Sequence, residues 1–215
     1  MTNTIYIVRH GQTEWNLLGK TQGHGNSDLT PKGIEQAELL ADSMTKYPID
    51  YIYSSDLGRA YQTAEIIGNK LNIEVEKTEA LREMNFGTWE GRIIKDIIEE
   101  DPELYKMWRN EPHLAKIPQG ETLSQIKERT DAFIKEINEK YDGKHIVLVT
   151  HSLCARIMLL SFLDSDVKNI YRINQANTAL NIIELRDYGP VVMKMNDTTH
   201  IINDTKLENS ALSRI

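Results

Sequence analysis

The chain contains a single cysteine, Cys154, so no internal disulfide can form and a reducing compartment is the expected setting. No apolar stretch approaches the ~20 residues that a membrane-spanning helix needs. The N-terminus enters a β-like run almost at once, which leaves no room for a signal peptide. Basic residues are in the minority, with 25 Lys and Arg against 32 Asp and Glu and a formal net charge of −7. Nucleic acid binding wants a basic face, so nucleic acid is not expected as a main partner. Repeats and low-complexity tracts are absent as well. What remains is a chain of 215 residues with 40% hydrophobic content, enough for the core of one α/β unit. We expect a soluble, cytoplasmic protein with no membrane contact. An acidic body around a basic pocket favours a small anionic ligand.

Three short apolar runs end at polar groups. Ile5-Tyr6-Ile7-Val8 runs into Arg9-His10-Gly11. Tyr51-Ile52-Tyr53-Ser54 leads through Ser55-Asp56-Leu57-Gly58 to Arg59, and Ile146-Val147-Leu148-Val149 ends at Thr150-His151-Ser152. Runs of this length and composition read as buried strands that stop at loops. In open α/β sheets, ligands bind beyond the carboxyl ends of such strands. If the three strands are parallel neighbours, Arg9, His10, Arg59 and His151 converge on one sheet edge.

Helical patterns separate the strands. Thr30-Pro31 is an N-cap followed by Pro at the first helical position, and Ile34, Ala37, Leu40, Ala41 and Met44 follow at helical spacing. A second helix after Arg59 turns Ala60, Thr63, Ala64 and Ile67 towards the sheet, and Ile73 to Val75 reads as a strand. Thr122 caps a long amphipathic helix to about Tyr141, with Gly143 closing it. Leu180–Leu185 and Val191–Met195 are the last strands, hinged at Tyr188-Gly189-Pro190. The expected fold class is α/β, a three-layer α/β/α sandwich with a mostly parallel central sheet and an antiparallel edge supplied by the last pair. One domain spans residues 1–202, followed by a polar tail over 203–215. An insert at about 92–120 holds Pro102, Pro112 and Pro118 in short helical pieces, with Asp101 as the cap before Pro102. It is read as a lid or substrate wall over the sheet edge.

An imidazole among guanidiniums suits phosphoryl transfer, which needs positioning and charge neutralisation around three equatorial oxygens. Arg9 and Arg59 offer forked donors and His151 a further one. A neutral His10 supplies the attacking nitrogen and becomes a phosphohistidine, which divides hydrolysis into two easier steps. Surrounding cations depress the imidazole pKa, and a backbone carbonyl on the other ring nitrogen would fix its tautomer. The leaving alkoxide needs a proton, and Glu83, in Leu81-Arg82-Glu83-Met84-Asn85-Phe86-Gly87, is the best donor. A dianionic phosphate and burial against Phe86 or Trp89 would favour its protonated form. Taken singly, each of these residues has a plainer reading as a surface or capping group; their joint order carries the argument. Cys154 lacks the Cys-x5-Arg spacing of cysteine phosphatases. His24, His113, His145 and His200 show no metal-ligand spacing and read as structural or surface groups. Trp15, Trp89 and Trp108 read mostly as core, with Trp89 or Trp108 available to a substrate wall.

These motifs resemble the histidine phosphatase superfamily, also called phosphoglycerate-mutase-like. The resemblance rests on Val8-Arg9-His10-Gly11-Gln12-Thr13-Glu14-Trp15-Asn16, Ser54-Ser55-Asp56-Leu57-Gly58-Arg59-Ala60-Tyr61-Gln62-Thr63-Ala64, Leu81-Arg82-Glu83 and Val149-Thr150-His151. It implies His10 as the phosphorylated nucleophile, Glu83 as proton donor, and Arg9, Arg59 and His151 as the phosphate pocket. Asn16, Gln22 and Gly23 match positions that also touch phosphate. Ser152 stands where many members have Gly, and its hydroxyl can still donate to phosphate. No metal and no cofactor are implied, and the expected partner is a small phosphorylated metabolite. Gly87-Thr88-Trp89-Glu90-Gly91 and Pro118-Gln119-Gly120-Glu121-Thr122 resemble the phosphatase branch. Cofactor-dependent mutases carry an adjacent arginine pair in the insert, whereas here Arg92, Lys95, Lys106, Arg109 and Lys116 stand singly. The expected function is therefore a metal-independent phosphatase of small phosphomonoesters. The alternatives are a cofactor-dependent phosphoglycerate mutase and a phospholigand-binding module without turnover.

Overall fold

Alternation along the central strands decides which residues face which helical layer. In β1 (Asn3–Arg9), Ile5 and Ile7 join one core cluster while Tyr6 and Val8 join another. In β4 (His145–Thr150), Ile146 and Leu148 share the first cluster, and Val147 and Val149 share the second. Both faces of the sheet are thus apolar, as expected when helices cover both. A one-residue slip of β1 would exchange the two faces and also move its terminal Arg9.

The computed structural model describes residues 2–201, so the polar tail read over 203–215 lies outside the described residues. Six strands form one sheet in the order β3-β2-β4-β1-β5-β6, adding β2 (Tyr51–Ser55), β3 (Val75–Thr78), β5 (Leu180–Arg186) and β6 (Gly189–Asp197). The first four run parallel, β5 runs antiparallel to β1, and β6 antiparallel to β5. The mostly parallel sheet with an antiparallel margin is therefore as read from the sequence. Helices α2 (Pro31–Met44) and α3 (Gly58–Leu71) pack together on one face. On the other face lie α6 (Leu123–Lys140) and α7 (Ser152–Phe162). A short α1 (Glu14–Leu17) follows β1, and the insert contributes α4 (Ile94–Glu100) and α5 (Pro102–Asn110).

The caps explain where helices start. Thr30 Oγ1 accepts the Gly33 N–H at 2.9 Å with Pro31 behind it, and Thr122 forms a reciprocal capping box with Gln125. Two local expectations change. The strand read at Ile73 to Val75 begins only at Val75, because Asn72 closes α3 in the left-handed conformation (φ 55°) and the Ile73 N–H is spent on the Gly68 carbonyl. Asp101 does precede α5, but its side chain makes no capping bond. Its backbone is already occupied closing α4, donating to the Ile97 carbonyl.

Gly11, just past β1, and Gly33, in the first turn of α2, permit one close backbone crossing. A Cβ on Gly11 would stand 2.3 Å from the Gly33 carbonyl oxygen, and one on Gly33 would stand 2.0 Å from the Gln12 carbonyl oxygen. Helix propensity alone makes Gly33→Ala stabilising by about 1 kcal/mol. The crossing reverses that sign, and a loss of about 1–3 kcal/mol is expected from overpacking. Urea denaturation reads the difference, and a gain in stability would contradict the crossing.

Candidate active site

Register places the strand exits side by side. Arg9 pairs with Thr150 across β1 and β4, and Ser54 with Val149 across β2 and β4. The His10 N–H donates to the Thr150 carbonyl at 2.9 Å. The His10 and His151 rings then meet edge to face, with centroids 5.2 Å apart. Arg59 enters from the first turn of α3, two residues ahead of Tyr61, and Thr63 on the same helix accepts the Gly11 N–H at 3.1 Å.

These four groups are almost wholly out of water: Arg9 and His10 are 3% exposed, Arg59 1% and His151 0%. His10 Nδ1–H donates to the Gly11 carbonyl at 2.7 Å, which leaves Nε2 with its lone pair. Burial, then the charges of Arg59 and Arg9, hold the His10 pKa well below the ordinary imidazole value. The cations expected to depress it do so, but desolvation is the larger cause. His151 is held down in the same way, by burial first and then by Arg59. Its Nε2 meets Ser55 Oγ at 2.9 Å, and that oxygen also accepts the Leu57 N–H. The hydroxyl proton is thus free to point at Nε2, which puts the ring proton on Nδ1.

The arginines are partly committed to the backbone. Arg9 Nη1 donates to the Gln175 carbonyl at 2.5 Å. Arg59 Nη1 and Nη2 donate to the Gly25 and Gly23 carbonyls at 2.8 and 2.7 Å. Arg59 therefore shapes the 22–25 loop as well as facing His10. Burial pushes both guanidinium pKa values down to about 10, so both remain charged at neutral pH. Arg9 Nε, Arg59 Nε, His151 Nδ1 and Gln22 Oε1 are buried without a hydrogen-bond partner. Such atoms in a folded protein call for an explanation, and these four share one neighbourhood with the His10 ring.

A cavity of about 50 Å³ opens there. Its lining includes Arg9, His10, Asn16, Gln22, Gly23, Arg59, Glu83 and Ser152. His151 lies behind this wall rather than in it. Asn16 is fixed by the α1 capping box, where Thr13 N–H donates to its Oδ1 at 3.1 Å. Ser152 opens α7. Glu83 accepts from the Met84 N–H at 3.0 Å and, at 3.3 Å, from the Leu153 and Cys154 N–H groups in the first turn of α7. Lys20, Thr21, Phe86, Leu153 and Arg156 complete the wall. Arg156 is the notable addition. It sits one helical turn beyond Ser152 inside the apolar run of α7, buried to 2% exposure. An arginine amid Leu153-Cys154-Ala155 and Ile157-Met158-Leu159 was the available signal.

No residue between 92 and 120 lines the cavity, although the start of the insert backs its wall, with the Thr21 N–H donating to the Arg92 carbonyl at 3.0 Å and the Ile94 N–H to the Gly19 carbonyl at 3.1 Å. The insert's apolar positions Ile97, Trp108, Ala115 and Ile117 are buried in the main core instead. Trp89 and Trp108 are core residues too, and Phe86 is the aromatic group that reaches the cavity. His24, read as structural, has a more specific place: its Nε2 lies 3.0 Å from the Glu83 carbonyl. Among the described residues, no three His, Cys, Asp or Glu side chains stand together as a metal-ligand set.

The sequence profile of the histidine phosphatase superfamily (branch 1) matches residues 5–198. The chain belongs to that family. Phosphoserine phosphatase 1 of Hydrogenobacter thermophilus is 32% identical over 92% of this chain and 93% of the relative. A Yersinia pestis protein named "probable phosphoglycerate mutase GpmB" is also 32% identical, over 92% of this chain and 94% of its own. A solved mutant phosphoserine phosphatase of Entamoeba histolytica, in complex with phosphoserine, superposes with a TM-score of 0.84. It shares 29% identity and covers 93% of this chain and 100% of that one. Among the described residues, no helix is long and apolar enough to cross a membrane.

The buried imidazoles make a pH prediction. A histidine whose native pKa is lowered binds fewer protons folded than unfolded, so stability is lost as pH falls below the unfolded value of about 6.5. NMR titration of the His10 ring should therefore show a neutral imidazole at pH 6, with its midpoint well below 6.5. A midpoint at or above that value would contradict the electrostatics described.

Proposed function

We propose that this chain is a metal-independent phosphatase that hydrolyses small phosphomonoesters through a phosphohistidine on His10. The observation that carries the reading is the pair of unpartnered buried donors Arg9 Nε and Arg59 Nε, on residues that line one cavity with an imidazole whose Nε2 is unprotonated, and His151 against that ring from behind. Charge-assisted donors of this kind suit the equatorial oxygens of a phosphoryl group.

In the first step, His10 Nε2 forms a bond to phosphorus while the ester P–O bond breaks. Glu83 gives its proton to the departing oxygen, and an alcohol leaves. In the second step, the Glu83 carboxylate takes a proton from water as that oxygen attacks phosphorus. The P–N bond breaks, inorganic phosphate leaves, and His10 returns to its starting form. Asn16, Gln22, Gly23 and Ser152 line the same cavity and are read here as substrate-binding groups. Arg9 and Arg59 hold the transferring oxygens throughout.

The name of the Yersinia relative favours a mutase. Against it stands the use of the insert's cations: Arg109 lies 4.4 Å over the Tyr171 ring, and Arg92 pairs with Glu100 at 2.6 Å. Neither lines the cavity, so neither offers a second acid-binding group there. Hydrolysis of p-nitrophenyl phosphate should proceed in excess chelator and disappear in His10→Ala. Acid-labile phosphate should form on the wild-type chain during turnover and be absent from the variant. Phosphate transfer between positions of 3-phosphoglycerate, dependent on a bisphosphate primer, would favour the mutase. Binding without turnover or acid-labile phosphate would leave only a phospholigand-binding module.

A further inference from the structure

Glu83 lies in a stretch with no regular secondary structure, residues 82–86 between two short 3-10 turns. Such a segment must find partners for its backbone polar groups outside itself. One arginine meets two of its carbonyls. Arg129, on α6, sends Nη1 to the Ala80 carbonyl at 2.7 Å and Nη2 to the Arg82 and Glu83 carbonyls at 2.8 and 3.2 Å. Its Nε donates to Glu121 Oε1 at 3.1 Å. Glu121 in turn grips the same stretch on both sides of Asn85: its Oε2 accepts the Asn85 N–H at 2.8 Å, and its own N–H donates to the Asn85 carbonyl at 2.8 Å. His24 adds a further contact to the Glu83 carbonyl at 3.0 Å.

Two sequence patterns thereby meet. Gly87, in Gly87-Thr88-Trp89-Glu90-Gly91, approaches the 118–120 turn so closely that a Cβ would stand 2.1 Å from the Pro118 carbonyl oxygen. Gly120 similarly leaves no room for a Cβ beside the Asn85 carbonyl, at 2.7 Å. The close approach delivers Glu121 to the backbone that carries Glu83. Arg129 itself does not line the cavity, so it cannot touch a substrate there.

We propose that Arg129, braced by Glu121, is a positioning residue that fixes the Glu83 carboxyl beside the departing oxygen. The inference rests on the reading of Glu83 as proton donor. A planar fork satisfies several carbonyls with little loss of freedom per bond, which an ammonium group cannot reproduce. The carboxyl is then held from two directions: its carbonyl by Arg129 and His24, its oxygens by the amides of Met84, Leu153 and Cys154.

Leaving-group dependence separates positioning from mere support of the fold. An alkyl phosphate needs the proton in the first step, whereas p-nitrophenolate leaves readily without one. First-turnover release of alcohol or p-nitrophenol is measured for wild type, Arg129→Gln, Arg129→Lys, Glu121→Gln and Glu83→Gln. A displacement of about 1 Å can cost about 100-fold in rate, so Arg129→Gln should lose on that order with glycerol phosphate and far less with p-nitrophenyl phosphate. Glu83→Gln should show the same split more strongly, and Arg129→Lys should recover part of it. If Arg129→Gln does not fold, Arg129→Lys and Glu121→Gln carry the same comparison. Equal losses on both substrates in the Arg129 and Glu121 variants, with the split retained in Glu83→Gln, would overturn the positioning role and leave the proton donor standing. No split in Glu83→Gln would overturn both.

Discussion

Two guanidinium groups and two uncharged imidazoles, withdrawn from water around one point, are the constraint on which this molecule is built. Taking a charge out of water costs several kcal/mol unless something compensates it. For Arg9 and Arg59 the compensation is partial, supplied by the Gln175, Gly23 and Gly25 carbonyls and by the nearby Glu83. Arg9 Nε and Arg59 Nε remain without a partner, on residues that line one cavity. The same low dielectric that makes these charges costly would strengthen a grip on a phosphoryl group, and it keeps His10 neutral, as the proposed attack on phosphorus requires.

The fold supplies that withdrawal cheaply. Strands β2, β4 and β1 are the buried middle of the sheet, covered by helices on both faces, so the two residues that follow the last apolar residue of each are buried. Gly11 and Gly33 let the first exit press against α2. The N-terminus of α7 brings backbone amides to Glu83. The groups proposed for binding and for proton transfer therefore stand on the same few strand and helix ends.

The strands and the groups at their exits were legible because an apolar run broken by Arg-His or Thr-His is a local signal. Buried periodicity likewise marked α2, α3 and α6. Arg156 stands out as one charge in an apolar run, but an all-apolar helix leaves no period that says which way that charge points. The core packing of the insert was hidden for the opposite reason. Its prolines and acidic residues suggest an outlying flap, while four spaced apolar side chains, Ile97, Trp108, Ala115 and Ile117, anchor it in the core. Arg129 and His24 act on carbonyls 46 and 59 residues away in sequence, and backbone partners leave no trace in side-chain identity.

Family membership and chemistry meet at one atom, His10 Nε2. The most direct measurement is a crystal structure of the chain with orthovanadate, which adopts the trigonal-bipyramidal arrangement of a phosphoryl group in transfer. The account predicts vanadium bonded to His10 Nε2, its equatorial oxygens on Arg9 and Arg59, and an apical oxygen next to Glu83. Vanadate bound at another residue, or bound here with His10 turned away, would contradict it.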